Sequence, residues 1–168
     1  IIYLCKSAFE AKQKFTGMCV QAARVIGVST PAVLQHQAVR IPFLAGVIRP
    51  CIFLPLGNRE LEFSRNAIFI HELAHLARHD NIWNLLRHLG IALLPFQPLL
   101  WVLSRSIEET SDFVCDDYVL RHGGNRAYAM ELAAAARGIR PPAKRFVAGV
   151  GFFSFSTTLL KRVERILD

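Results

Sequence analysis

The feature that most constrains this chain is the run Phe69-Ile-His-Glu-Leu-Ala-His-Leu-Ala-Arg-His-Asp80, which holds His-Glu-x-x-His inside an apolar stretch. On a helix, residues four apart fall on one face, about 40° out of line at 3.6 residues per turn. His71 and His75 therefore aim two imidazoles at one point, as a tetrahedral zinc ion requires of two of its ligands. Glu72 lies about 100° round the helix from His71, placed to reach a water on the metal rather than the metal itself. The bland alternative is a pair of core histidines one turn apart. By residue frequencies, a chance His-Glu-x-x-His in a chain this long arises in roughly one per cent of cases or fewer.

The 168 residues are enough for one domain with a real core, so residues 1–168 are expected to form a single unit. The chain opens on Ile1 rather than Met, with no secretory signal pattern, and reads as a fragment of a longer protein. Hydrophobic residues make up 52% of it, a high share for a soluble domain, and the net charge is +7. A basic and apolar balance suits apposition to an anionic, cytoplasmic membrane face. No nucleic-acid-binding motif or basic block is present, so no nucleic acid partner is expected. Cys5, Cys19, Cys51 and Cys115 form no C-x-x-C pair and suit no zinc ribbon; they read as reduced, mostly buried small hydrophobes.

Along the chain, residues 1–26 read as one helix, with an apolar stripe from Leu4 to Val25 and Gly27 as its stop. Val33–Gln37, Val39–Phe43 and Cys51–Leu54 read as short strands, with prolines that favour sheet edges. An edge strand before the metal helix can hold an extended substrate by backbone pairing. The His-Glu-x-x-His helix is predicted to begin between Arg59 and Ser64 and to reach about Arg78. Asp80 or Asn81 is placed to cap the next helix. Pro95 ends that helix and Pro98 opens another. The run Leu89–Leu103 is nearly all apolar but too short and broken for a bilayer span, so residues of about 82–104 are expected to form a membrane-associated or buried hairpin.

The helix from Pro98 carries Glu108, Asp112 and Asp116 at four-residue steps. Acids aligned in this way repel by a few tenths of a kcal/mol per pair, and a cation offsets that. Gly123-Gly124 stops the helix. Another helix is expected at about Ala127–Arg137, then a Pro141-Pro142 break, a glycine-punctuated apolar run 146–155, and a last amphipathic helix capped by Ser156 or Thr157.

Three landmarks thus stand in order: Ile41-Pro-Phe-Leu-Ala-Gly-Val-Ile-Arg-Pro-Cys-Ile-Phe-Leu-Pro55, His71-Glu-Leu-Ala-His-Leu-Ala-Arg-His-Asp80, and Asp112-Phe-Val-Cys-Asp-Asp-Tyr-Val-Leu120 with Gly124 and Tyr128-Ala129 after it. From about Ala32 to Ala134 the sequence resembles the BlaR/MecR-type membrane metallopeptidases, the beta-lactam sensor-transducers and their relatives. The resemblance implies an α+β, mostly helical, zincin-like domain with a small sheet before the His-Glu-x-x-His helix. It implies zinc held by His71, His75 and Asp112, with Glu72 as general base and Asp116 supporting the site. The family usually carries Glu where this chain has Asp112. The implied activity is zinc-dependent endopeptidase chemistry in a bacterial membrane-bound sensor or regulatory protein, with this domain on the cytoplasmic side. The partners implied are a protein or peptide substrate (a transcriptional repressor, or the protein itself) and membrane lipid. The rival reading is a zinc-binding signalling or docking module of the same fold that cleaves nothing. Tyr118, Arg121 and His122 are candidates for stabilising an oxyanion only by their nearness in sequence.

Overall fold

The computed structural model describes residues 8–39, 41–56, 65–123, 128–130, 133 and 161–166. The fold is α+β and mostly helical, with a four-stranded sheet ahead of the His-Glu-x-x-His helix. Strand β1 (Phe9–Glu10), β2 (Ala32–His36), β3 (Phe43–Ala45) and β4 (Cys51–Pro55) lie in the order β1-β2-β4-β3. The β2–β4 pair is parallel and the two outer pairs are antiparallel. Helix α1 (Gln13–Ile26) precedes β2; α2 (Arg65–Ala77), α3 (Asp80–Leu93) and α4 (Pro98–Arg121) follow the sheet.

The expected first helix is shorter than its apolar stripe. Phe9–Glu10 pair with Gln35 and Leu34 of β2, and the helix begins only at Gln13. A strand of two residues takes its definition from its partner, which a helical period cannot reveal. Residues 1–7 lie outside the described residues, as do 57–64, within which the His-Glu-x-x-His helix is expected to begin. Gly27 does stop α1: it sits at φ 80°, and its N–H and that of Val28 both bond the Ala23 carbonyl. The second strand is displaced from Val39–Phe43 to Phe43–Ala45, with Val39 buried just after the turn that follows β2.

Helix α2 is the hub. Ala67, Phe69, Ile70 and Leu73 join Phe15, Cys19, Ala22 and Ala23 of α1, Val33, Ile52 and Leu54 of the sheet, and Val119 of α4 in one core. Every residue from Phe69 to Ala74 is buried, so α2 is enclosed on nearly all sides and carries His71 and Glu72 into the interior. Glycine is required at Gly46, between β3 and β4. Its φ is 91°, and a β-carbon there would meet the Arg49 carbonyl oxygen at 2.5 Å. The Gly46 carbonyl accepts a hydrogen bond of 2.6 Å from Asn81 Nδ2, tying this turn to the start of α3.

Neither Asp80 nor Asn81 caps α3. The cap position is His79, in the left-handed conformation at φ 57° and without a side-chain capping bond. That tight reversal leaves both side chains free for tertiary contacts: Asn81 reaches Gly46, and Asp80 turns back onto α2. Pro98 occupies the first turn of α4 as expected, and α3 ends at Leu93 ahead of Pro95.

Candidate metal centre

His71 and His75 point inward from α2, and their Nε2 atoms face each other at 3.2 Å. Behind each ring stands a carboxylate. Asp116 Oδ1 of α4 is 3.0 Å from His71 Nδ1, and Asp80 Oδ2 is 2.7 Å from His75 Nδ1. An ionised carboxylate only accepts, so each imidazole keeps its proton on Nδ1 and turns the Nε2 lone pair toward its neighbour. Two lone pairs that face each other need a cation between them, a proton or a metal ion. The spacing suits a metal: two nitrogens at 2.0–2.1 Å from a tetrahedral zinc ion lie about 3.3–3.4 Å apart. Asp112 Oδ1 is 3.7 Å from His75 Nε2. Donor atoms of His71, His75 and Asp112 all lie within 4.8 Å of one another, and Glu72 is not in that group. The chemistry of this donor set fits zinc.

The carboxylates behind the rings are themselves fixed. Asp80 accepts from Ser111 Oγ at 2.6 Å and from Arg78 Nε at 3.4 Å, and these bonds together with His75 hold its carboxyl below the usual carboxylate value. Burial pushes His75 down, but its bonds to Asp80 and Cys115 outweigh that and raise its pKa to about 10. Cys115 Sγ is 3.3 Å from His75 Nδ1, and burial raises its own pKa. Asp116 is almost fully enclosed. It accepts a hydrogen bond from Tyr128 Oη at 2.7 Å and a forked pair from Arg162 Nε and Nη2, each at 2.7 Å. Burial alone would raise the Asp116 carboxyl, yet His71 and Arg162 pull it well below the carboxylate range.

Glu72 is buried beside this cluster. Its pKa is raised by burial, against the lowering influence of His71, His75 and a hydrogen bond from the Leu44 backbone N–H. Asp112 is the more open side of the site, with its side chain 31% exposed against 9% for His71 and 3% for Asp116.

The structure brings His71, His75, Asp112, Asp116 and Glu72 together, and it separates Glu108 from them. Glu108 shares the acidic face of α4 but pairs with Arg87 of α3. Tyr118 packs against the core, while Arg121 and His122 are exposed at the end of α4. Three residues at the site carried no sequence signal as site residues. Asp80 is placed by the turn at His79, and Tyr128 and Arg162 arrive from segments distant in sequence. The expected helix at 127–137 is described only at 128–130 and 133, and residues 134–160 lie outside the described residues.

A His-Glu-x-x-His helix enclosed by a second, carboxylate-bearing helix and flanked by a small mixed sheet defines a class, the metallopeptidase-type domain. The chain belongs to the BlaR1 peptidase M56 family, whose model matches residues 7–166. Over 84 residues it is 32% identical to the regulatory protein BlaR1 of Bacillus licheniformis, a match covering 49% of this chain and 14% of that protein. Over 86 residues it is 29% identical to the methicillin resistance protein mecR1 of Staphylococcus aureus, covering 48% of this chain and 14% of that one. The matched stretch is thus a small part of the length of these curated relatives.

The depressed Asp116 fixes the sign of a pH dependence. Its interactions contribute stability in full above the ordinary aspartate pKa of about 3.9, and that stability is lost as the pH falls through the lower folded value. The urea midpoint of the metal-free chain should therefore drop as the pH goes below about 4. Asp116→Asn, less stable at neutral pH, should show a shallower acid limb.

Proposed function

We propose that this domain is a zinc-dependent endopeptidase within a membrane-bound sensor or regulatory protein. One observation carries the reading: His71, His75 and Asp112 converge on one point while Glu72 stands buried beside them and outside the donor set. Bound there, zinc would supply Lewis acidity and a water of lowered pKa. Glu72 is the general base. It is buried, which raises its pKa, and it would take a proton from the water and pass it to the leaving amine nitrogen. Asp116 and Asp80 hold the imidazole protons on Nδ1 and so keep both Nε2 atoms turned to the metal.

Substrate placement follows from β3, an outer strand of the sheet. The Leu44 N–H reaches Glu72, so the outward-facing backbone of β3 borders the site. Within a strand a residue's N–H and C=O point to the same side, which leaves the Leu44 carbonyl on that border to pair with an extended peptide. The substrate is a protein, a transcriptional repressor or the protein itself.

Membrane lipid is the second partner in this reading. The α3–α4 hairpin exposes Trp83, Leu89, Leu93, Phe96, Trp101 and Val102, with Phe96 at its tip 95% exposed. No helix among the described residues is long and apolar enough to cross a membrane, so the hairpin would lie against or dip into one face. That face is the cytoplasmic one, which suits the basic net charge of +7.

Two substitutions divide the enzyme from a non-catalytic zinc module. Glu72→Gln removes the proton acceptor and keeps the size. Zinc content and melting temperature should stay nearly unchanged, and cleavage by the full-length protein should fall by about 10²-fold or more. Equal signalling by zinc-loaded wild type and Glu72→Gln, with no cleavage product from either, would mean that the metal is structural. For the ligand set, Asp112→Ala should strip zinc, Asp112→Glu should retain it, and Glu108→Ala should leave it in place. Zinc lost from Glu108→Ala but kept by Asp112→Ala would assign the third ligand to the wrong turn of α4.

The lipid reading predicts that the domain co-sediments with anionic vesicles, with a blue shift of Trp83 and Trp101 fluorescence. Phe96→Asp combined with Leu93→Asp should abolish both. A domain that stays in the supernatant at low salt would refute the lipid contact.

A further inference from the structure

Arg162 is a buried cation delivered to the site by the helical segment 161–166, far along the chain from α2 and α4. Its guanidinium is fully engaged. Nε and Nη2 form a fork on the two oxygens of Asp116, each at 2.7 Å, and Nη1 donates to Asp112 Oδ2 at 3.2 Å. Nη2 also lies 3.3 Å from Tyr128 Oη, and 3.5 and 3.4 Å from the two nitrogens of His71. Nη2 thus lies within hydrogen-bond distance of the His71 ring, including the Nε2 that faces His75. One side chain thus touches the ring of His71, the carboxylate behind that ring, and the carboxylate of the third candidate ligand.

The two Asp112 oxygens have different neighbours. Oδ2 accepts from Arg162, while Oδ1 is the atom 3.7 Å from His75 Nε2. An oxygen committed to a guanidinium is a weaker ligand than its free twin, so Arg162 selects which oxygen is offered to an ion. It also offsets the repulsion between Asp112 and Asp116, one helical turn apart and with a third acid, Glu108, one turn earlier. Asp112 is the most exposed of the three aspartates at the site, so its carboxylate needs to be held where it is useful. A planar fork with five donors suits this task, and a lysine ammonium, which is a point charge, does not.

We infer that Arg162 is a positioning residue of the metal centre, which sets Asp112 to bind through Oδ1 and locks His71 through Asp116. The metal centre is thereby complete only when segment 161–166 is docked on α4. The inference rests on the reading of His71, His75 and Asp112 as a zinc site. The same segment docks by a second, exposed contact, in which Arg165 Nη2 donates to Asp117 Oδ2 at 3.0 Å and its guanidinium lies 5.3 Å from the centre of the Phe113 ring. That contact provides an internal control, because it fastens the segment without touching the site.

The test measures zinc affinity of the full chain by chelator competition, and the visible absorption of the cobalt-loaded chain, which reports how the carboxylate binds. Partners that orient metal ligands are worth about 10–100-fold in metal affinity. Arg162→Gln should weaken zinc binding by about that factor and alter the cobalt spectrum at saturating cobalt. Arg162→Lys should recover only part of the affinity. Arg165→Gln should change neither reading. Should Arg162→Gln fail to fold, Arg162→Lys carries the comparison against Arg165→Gln. Wild-type affinity and spectrum in both Arg162 variants would overturn the inference alone, as would equal losses in the Arg162 and Arg165 variants, which would indicate docking without positioning. A wild-type chain that takes up neither zinc nor cobalt would overturn the metal reading and the inference with it.

Discussion

Two imidazole nitrogens facing each other at 3.2 Å, each with its proton held behind it by an aspartate, are the constraint on which this structure depends. Such a pair is unfavourable unless a positive charge lies between the rings. It sits on a helix enclosed by α1, the sheet and α4, where an unsatisfied polar group costs about 1–3 kcal/mol. The surrounding fold answers that demand group by group. α4 brings Asp112 and Asp116, the turn at His79 brings Asp80, and the backbone of β3 satisfies Glu72. The core of Phe69, Leu73, Ile52 and Val119 holds these elements close enough for the donors to meet.

The parts of the site legible in the sequence are those set by helical periodicity. His71 and His75 are one turn apart, Glu72 is offset from them, and Asp112 and Asp116 share a face of α4, all readable from a repeat of 3.6 residues. The same periodicity grouped Glu108 with the two aspartates. It could not show that Arg87 of the neighbouring helix takes Glu108 away, because a repeat along one helix says nothing of the partner that faces each turn. Asp80 illustrates a different limit. As a residue just ahead of a helix it reads as a cap, yet a left-handed His79 reverses the chain and turns its carboxylate onto His75. Left-handed geometry at a residue other than glycine has no reliable local signature. Arg162 carried no signal, and Tyr128 stood only among the residues of the family resemblance, because tertiary packing alone places both at the site.

The sheet shows the same division. Its position ahead of the metal helix was evident from β-branched and aromatic runs broken by prolines. The outermost strands were not. β1 has two residues and β3 has three, and each is defined by the ladder it makes with a neighbour. The break between α3 and α4 does fall at Pro95 and Pro98, since proline acts on the backbone directly and needs no tertiary partner.

The supports behind the two imidazoles differ in how far along the chain they come from. Asp80 is five residues from His75, whereas the Tyr128 hydroxyl beside His71 is 57 residues from it and Arg162 is 91. Local contacts form early in folding because little chain must be closed to make them, and distant ones form late. The His75 half of the centre can therefore assemble with the α2–α3 turn, while the His71 half waits for α4 and segment 161–166 to arrive. A chain emerging during synthesis would carry a half-built site until segment 161–166 docked. The order of assembly thus leaves the cluster of His71, Asp116 and Asp112 without its buried cation until segment 161–166 docks.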